Sequence, residues 1–402
     1  MKKIFGVAPN AFFLGLVSLF NDFSSEMIYS VMPGFLTGIL GAPAFFVGFI
    51  EGFADALASV IKVFAGYLSD RLHRRKILSV TGYGISTFTR WILYFVTSIW
   101  QVFLLRAIDR FGKGFREAPR DALLSESVER HDLGKSFGFQ RAMDTVGSVL
   151  GPLAAFWLGY NIHGASFTLA DFHKIFLIGF WVGILSLLAF FFVKEIKGVA
   201  RVAPRSSPKR ITLSVSLKDF DPPFRAYIKS IFIFSLGMMP TSLLLLRSEE
   251  FGLGIAGIPL MYLVYSLSFV VFAIPFGRLA DRVGERKVIL GGLLSAVLAY
   301  LVIARADTLV ALSYGFVLLG LYSAMTDGVM RAYVNKLVRP DQLATGEGFL
   351  GASLGVTSLV SGFLGGILWT QFSPLWAFNL SLIFMLIGLY TFTRFIQTAP
   401  KV

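Results

Sequence analysis

Apolar stretches of roughly twenty residues recur along the entire chain, separated by short polar turns. A helix crosses a bilayer with about 20 mostly apolar residues. Twelve segments fit that length, near 11–36, 44–69, 78–97, 99–122, 137–160, 174–193, 222–246, 256–280, 287–305, 308–334, 343–370 and 374–396. The turns between them alternate in charge. Arg71 to Lys76, Arg130 to Lys135, Lys194 to Lys218, Arg282 to Lys287 and Lys336 to Arg339 are basic, whereas 37–43, 97–99 and 371–373 hold no Lys or Arg. The positive-inside rule assigns the basic set to the cytoplasm. Both termini are then expected inside, as an even number of crossings requires, in a multi-pass protein of the cell (inner or plasma) membrane. The first stretch follows Lys2-Lys3 but contains Asn21, Asp22 and Glu26 and lacks a small-residue cleavage site, so it reads as a span and not as a removable signal.

One segment departs from this rhythm. Residues 195–221, EIKGVARVAPRSSPKRITLSVSLKDFD, are basic, carry Pro204 and Pro208, and are too polar to span. They divide the spans six and six, which predicts an N-terminal bundle over 1–194, a cytoplasmic linker over 195–221 and a C-terminal bundle over 222–402. The halves also repeat each other. Gly66-x-x-x-Asp70-Arg71-x-x-Arg74-Arg75-Lys76 has a counterpart in Gly277-x-x-x-Asp281-Arg282-x-Gly284-x-Arg286-Lys287, 211 positions on. Glu117 aligns with Asp327, and Gly138-Phe139 with Gly348-Phe349, at an offset of 210. Internal six-helix repeats are a signature of transporter construction.

These residues resemble the major facilitator superfamily, whose loop motif between its second and third helices is G-x-x-x-D-R/K-x-G-R-R-R/K. The second copy keeps Gly277, Asp281, Arg282 and Gly284, with Glu285 as a departure; the first keeps Gly66, Asp70, Arg71, Arg74 and Arg75, with His73 where the family has Gly. The resemblance covers essentially the whole chain and implies an all-α membrane protein of twelve transmembrane helices in two pseudo-symmetric six-helix bundles. It also implies that Asp70, and more weakly Asp281, meets the start of helix eleven and closes the cytoplasmic side. A helix N-terminus favours such an Asp through its dipole. On the fifth helix, Gly138, Gly147, Gly151 and Pro152 follow G-x8-G-x3-G-P. This looks like the motif found mainly in the family's proton-driven drug exporters, although Ala155 and Phe156 stand where G-G is usual. Small residues at such spacing also let two helices pack closely without any transport role.

Ionisable residues within spans are costly and must pair or face water. The first six spans hold eight acids, Asp22, Glu26, Glu51, Asp55, Asp109, Glu117, Asp121 and Asp144, and eight bases, Lys62, Arg90, Arg106, Arg110, Lys113, Arg116, Arg120 and Arg141. At 100° per residue the charges from Arg106 to Asp121 occupy an arc of about 140° on the fourth helix, one polar stripe. The resemblance puts helix four on the central cavity and Arg106 at the site of the family's R-x-x-x-G-x-G motif, with Arg110 replacing the first Gly; the family's Arg there is tied to proton coupling. On the first helix, Asn21, Asp22, Ser25, Glu26 and Tyr29 share one face. Asp22 and Glu26, like Glu51 and Asp55 on the second helix, are i,i+4 neighbours. Two carboxylates so close in low dielectric resist ionising together, so one is expected to hold a proton. We therefore expect proton coupling at Asp22, Glu26, Arg106, Asp109, Glu51 and Asp55, against the alternative of a static salt-bridge lattice with Arg106, Arg110 and Arg141. The substrate cavity is expected at Asn21, Tyr29, Arg110, Lys113, Glu117, Met239, Tyr265 and Asp327, with Asp327 pairing with Arg331. Arg141 and Asp144 fit gate contacts near the cytoplasmic edge.

Composition agrees. Only 15% of residues are charged against 55% hydrophobic, where soluble domains carry roughly 25% charged. The net charge of +13 sits in turns and linker, so it orients the chain and does not mark a nucleic-acid partner. There is no Cys, and the four His, at 73, 131, 163 and 173, lie away from mid-span; no metal site or cofactor is expected. A membrane-embedded enzyme would need a Ser/His, metal-His or paired-Asp centre, and no G-x-S-x-G elbow occurs. The expected function is secondary active transport of a small molecule by alternating access, as proton-coupled export, with the chain acting as a monomer with protons and the bilayer as its other partners. The alternative is organic-anion transport through an Arg106, Arg110 and Lys113 clamp; metal-ion export is a weaker variant.

Overall fold

The computed structural model describes residues 4–72, 74–129, 132–163, 167–195, 217–339 and 342–398. Residues 196–216, most of the expected linker, lie outside these, as do His73 and Arg130. The described residues form long helices: α1 (Pro9–Gly34), α2 (Ala44–Leu72), α3 (Arg75–Ile92), α4 (Ile99–Glu126), α5 (Leu133–His163) and α6 (Leu169–Ala189), then α7 (Pro222–Ser235), α8 (Thr241–Leu245), α9 (Gly257–Val283), α10 (Glu285–Arg305), α11 (Leu309–Leu337), α12 (Leu343–Gln371) and α13 (Pro374–Thr398). Together α7 and α8 make the seventh span, interrupted ahead of Pro240, which has no N–H to continue a helix.

Among the described residues, eight helical segments are long and apolar enough to cross a bilayer by length and composition alone. Among the rest, α4 is diluted by its charges, and the break shortens α7 to 14 residues. With α3 and α5 these complete the twelve spans of the fold. A rim of exposed Trp and Phe, including Trp100, Trp157, Trp181, Phe191 and Trp376, covers the outside, as apolar contact with lipid requires.

The repeat is visible in the helix starts. Ser98 caps α4 by accepting the Gln101 amide at 3.4 Å, and Thr308 caps α11 by accepting the Ala311 amide at 3.2 Å. The caps lie 210 positions apart, the same offset as the sequence motifs. In one bundle α1 packs on α5 and α6, α2 on α4, and α3 on α4 and α6; in the other α9 and α10 pack on α11, and α13 on α7 and α10. The bundles meet through α2 on α12 and α5 on α9. The first seam is set by glycine: a Cβ on Gly48 would strike the Gly362 carbonyl, and one on Gly366 would lie 2.8 Å from Phe45 Cα.

The two ends differ. At the end away from the basic turns, Gly34, which ends α1, and Gly38 in the π-helical turn Phe35–Ile39 that follows receive Ile255, and Thr37 Oγ1 donates to Glu249 Oε1 at 3.0 Å. At the basic end, a cavity of about 460 Å³ opens between α9 and α11, reached by Arg141 from α5.

Candidate functional site

The most enclosed charges lie where α2, α3 and α4 meet α1. Glu51 is buried and accepts two bonds from one guanidinium, Arg106 Nε at 2.8 Å and Nη2 at 2.7 Å. Arg110 Nη2 stands 3.6 Å from the same carboxylate, and Asp109 lies 3.5 Å from Arg106 Nη1. Both guanidinium carbons sit over the Tyr29 ring, 5.6 and 5.7 Å from its centre. Bidentate charged bonds of this kind are strong and fix orientation. Glu51, Arg106, Asp109 and Arg110 thus form one ion-pair cluster, and Asp22 and Glu26 stand outside it.

Asp22 and Glu26 find different partners despite their i,i+4 spacing. Asp22 accepts the side-chain amide of Asn21 at 2.9 Å, and Asn21 in turn accepts Arg90 Nη2 at 3.0 Å. Arg90, on α3, also donates to Ser24 at 2.6 Å. Between Arg90, Arg106, Asp109, Thr89 and Ser25 is a gap of about 10 Å³, close to the room a single water occupies. Glu26 instead faces the other bundle and accepts the Tyr262 hydroxyl at 2.6 Å. The Tyr262 ring lies 5.1 Å from Tyr29 and stacks on Tyr265 at 5.6 Å, and Tyr265 meets Ser323 on α11 at 3.0 Å. Asp55 also reaches across, accepting Ser358 Oγ of α12 at 3.2 Å.

Along the rest of the α4 stripe, Glu117 pairs with Lys62 at 2.7 Å, and Arg116 donates to Ser86 at 2.7 Å beneath the Tyr83 ring. Lys113 has no ion pair among the described residues. Arg120 holds Asp121 at 2.9 Å. At the basic end Arg141 of α5 meets Asp327 of α11 at 2.9 Å, with Arg331 on Asp327's other oxygen at 4.0 Å. The i,i+4 pair foreseen for Asp327 is the longer of its two contacts.

The structure therefore gathers Asn21, Asp22, Glu26, Tyr29, Glu51, Asp55, Arg106, Asp109, Arg110, Lys113 and Glu117 around α1, α2 and α4, with Tyr265 opposite. Asp327 and Arg141 stand at the basic end. Met239 does not join this group: it is buried against Tyr300, whose hydroxyl reaches its carbonyl at 3.4 Å, and against Gly365. Tyr262, Ser358 and Arg90 are the bonding partners that spacing within one helix could not reveal, because each acts on another helix.

The motifs divide as well. Gly147 and Gly151 are the α1–α5 crossing: a Cβ on either would stand 2.5 Å from the Leu19 carbonyl oxygen or 2.6 Å from the Met27 amide. Gly138 meets nothing within 4 Å. Pro152 lies inside α5. In the second loop motif Gly284 has φ +92°, a conformation for which glycine has no steric cost, and Gly277, Asp281 and Glu285 line the basic-end cavity while Arg282 lies in the last turn of α9. In the first, Gly66 lies within α2, Arg74 precedes α3 and Arg75 begins it; Arg75 Nη2 pairs with Glu126 at 3.1 Å. The side chains of Asp70 and Arg71, and with them the expected contact to helix eleven, lie outside the described part.

The family model of the Major Facilitator Superfamily matches residues 14–245 and 228–402. This chain belongs to the major facilitator superfamily. A member of that superfamily from Methanocaldococcus jannaschii, an uncharacterised MFS-type transporter, is 33% identical over 92% of this chain and 90% of its own. A class H tetracycline resistance protein of Pasteurella multocida is 33% identical over 26% of each chain. Among solved structures, a variant of the nucleoside transporter NupG superposes with a TM-score of 0.79 over 96% of this chain and 99% of that one, at 16% identity, which shows a shared fold. This major facilitator protein is accordingly a multi-pass membrane transporter of a small molecule and not an enzyme.

Proposed function

We propose that the transporter exports its substrate in exchange for protons. The observation that carries this reading is the bond from Tyr262 to Glu26, which joins the two bundles through a carboxylate placed among α1, α2 and α4. A bond to an ionised carboxylate is roughly twice as strong as one to a neutral group. The charge state of Glu26 therefore changes how firmly the bundles are held together, and a proton or ligand drives a switch only through such a difference between states. Sealing by Ile255 at one end and a cavity at the other support an inward-facing state, with the basic end cytoplasmic. Empty and ionised, Glu26 holds the outer end shut. Substrate engaging this carboxylate from the cytoplasmic cavity competes with Tyr262 and releases the seal. Once the site faces outward, a proton discharges Glu26 and the protonated carrier returns.

In this reading Asp22, Glu26 and Asp55 carry exchangeable protons, and Glu51 with Arg106 and Asp109 forms the fixed frame that places them. Residues 1–194 and 222–402 form the two moving bundles, joined by a cytoplasmic linker over 195–221, in a monomer of the cell membrane with both termini inside. The efflux branch draws further support from the tetracycline resistance relative.

A second reading has its own observation. Lys113 lacks an ion pair among the described residues, and Arg110 Nε is buried without a hydrogen-bond partner. Both suit an organic anion, which guanidinium and ammonium groups recognise well. Metal export has no such observation in its favour.

The test is purified protein in liposomes under an imposed pH gradient, with a compound panel that includes tetracycline. Export coupled to protons predicts accumulation that follows the gradient, with coupling lost and substrate binding kept in Asp22→Asn and Glu26→Gln. The anion reading predicts loss of binding in Arg110→Ala and Lys113→Ala. Transport of an identified substrate that ignores the gradient rejects proton coupling.

A further inference from the structure

Asp144, on α5, is a carboxylate with one oxygen buried and without a hydrogen-bond partner. It lies three residues before Gly147, and residues so spaced share a helix face. Gly147 is where α5 touches α1 backbone to backbone, and a Cβ there would stand 3.1 Å from Asp22 Cβ. Asp144 is thus turned into the α1–α5 crossing. The groups that act on it electrostatically are Asp22 of α1, Arg120 of α4 and Arg141 of its own helix, and Ser18 of α1 donates a hydrogen bond to it.

The two cations near it are shared with other acids: Arg120 pairs with Asp121 as well as with Asp144, and Arg141 pairs with Asp327. Arg141 is bound to Asp327 at 2.9 Å and lies over Phe269 of α9. Arg120 gives Nε and Nη2 to Asp121 at 3.0 and 2.9 Å, and Nη1 to Ser18 and Tyr83, both at 3.3 Å. Its approach to Asp144 Oδ1 is 4.0 Å, beyond hydrogen-bond reach. That oxygen is sealed from solvent with no hydrogen-bond partner. Across the crossing, Asp22 receives an amide bond from Asn21. Two ionised carboxylates in this place would repel each other while one kept an unsatisfied buried oxygen, and both conditions are costly. One proton removes both at once. It cancels one charge and turns an orphan acceptor into an O–H donor, which a protonated carboxyl supplies.

We propose that Asp22 and Asp144 share a single proton across the α1–α5 crossing and that this pair is a proton station of the transport cycle. It rests on the proton-coupled reading above and deepens it, since it adds α5, which also packs on α9 of the other bundle. A proton held there is positioned between the bundle that carries the acids and the helix pair that separates when the bundles rock. No covalent step is involved. The proton passes between carboxylate oxygens and solvent.

The test is infrared difference spectroscopy of the purified full chain, titrated in pH and read at the protonated-carboxyl stretch. Wild type, Asp22→Asn, Asp144→Asn, Asp144→Glu and Glu26→Gln are compared, with elution profile and circular dichroism confirming the fold. The expected result is one carboxyl band common to the pair, lost in both Asp22→Asn and Asp144→Asn, present in Glu26→Gln and recovered in Asp144→Glu. Should Asp144→Asn fail to fold, loss of the band in Asp22→Asn and its displacement in Asp144→Glu support the shared proton equally well. A spectrum unchanged by Asp144→Asn overturns the proposal, and so does a spectrum without a titrating carboxyl band. A band that behaves as expected in a protein whose liposome transport ignores the gradient keeps the shared proton but removes its transport role. The failure of the coupling reading is thereby separable from failure of this one.

Discussion

Glu26 and Tyr262 stand 236 positions apart in the chain, on different bundles, and are joined by a 2.6 Å hydrogen bond. A bond to a charged group contributes about 1.5–3 kcal/mol net. Tyr262→Phe removes that contribution from the observed conformation and leaves the ring stack with Tyr265. The chain has no cysteine, so a single Ile255→Cys reports the sealed end without further engineering. In cells, labelling of that cysteine by a membrane-impermeant maleimide is expected to rise severalfold in the Tyr262→Phe background. Equal labelling with and without the hydroxyl would show that the bond does not hold the end closed.

The Glu51–Arg106 pair is expected to behave as a structural element. Removing one partner of a buried pair costs about 3–5 kcal/mol because the other charge is stranded. Both Glu51→Gln and Arg106→Met should therefore lower the thermal midpoint in detergent strongly. The double variant Glu51→Gln/Arg106→Met should recover much of the loss, since no unpaired charge remains. Additive losses in the double variant would contradict this account.

Gly147 and Gly138 belong to one sequence motif and are expected to respond in opposite ways. Gly147→Ala forces a methyl group against the Leu19 carbonyl, and overpacking of this sort costs about 1–3 kcal/mol. Gly138→Ala meets open space and should leave thermal stability unchanged or slightly raised, as Ala favours helix over Gly by about 0.8–1.0 kcal/mol. Melting curves of the two variants decide the matter.

Arg141 and Asp327 are both more than 40% exposed in their side chains, so their bridge adds about 0–1 kcal/mol to stability. Their value is positional, since the bridge ties α5 to α11 across the basic end. Asp327→Asn should melt with wild type yet alter the transport rate at least severalfold, and the charge exchange Arg141→Asp/Asp327→Arg should restore it. Unaltered transport in Asp327→Asn would make the bridge incidental.

Much of this fold is legible in the sequence because lipid imposes simple rules. Apolar runs give the spans, basic turns mark one end, and the repeat at 210–211 positions appears again in the caps at Ser98 and Thr308. The site is legible only in part. Helical spacing put Asn21, Asp22 and Glu26 on one face and Arg106 with Arg110 on another; Arg106 and Arg110 meet on Glu51, whereas Asp22 and Glu26 turn to different partners. Spacing carries no information about what the opposite helix offers. It treated Glu51 and Asp55 as one kind of pair, yet Glu51 is locked by Arg106 while Asp55 meets a serine 303 positions away. Arg331 does lie within 4.0 Å of Asp327, but Arg141, 186 positions off, comes closer. Met239 reads as an apolar cavity wall and is instead core, since nothing in its local sequence records that Gly365 leaves room for it.

The backbone contact of Gly48 with Gly362 has a mechanical consequence. It lies near one end of α2, and Leu72 ends the same helix 24 residues further on. At 1.5 Å per residue that is an arm of about 36 Å. A tilt of about 10° around the glycine contact therefore carries the basic end sideways by about 6 Å, enough to uncover a small molecule, while the contact itself barely moves. The ratio of arm to contact makes the seam a short lever, in which a change of one side chain at the glycines is amplified at the opposite face of the membrane.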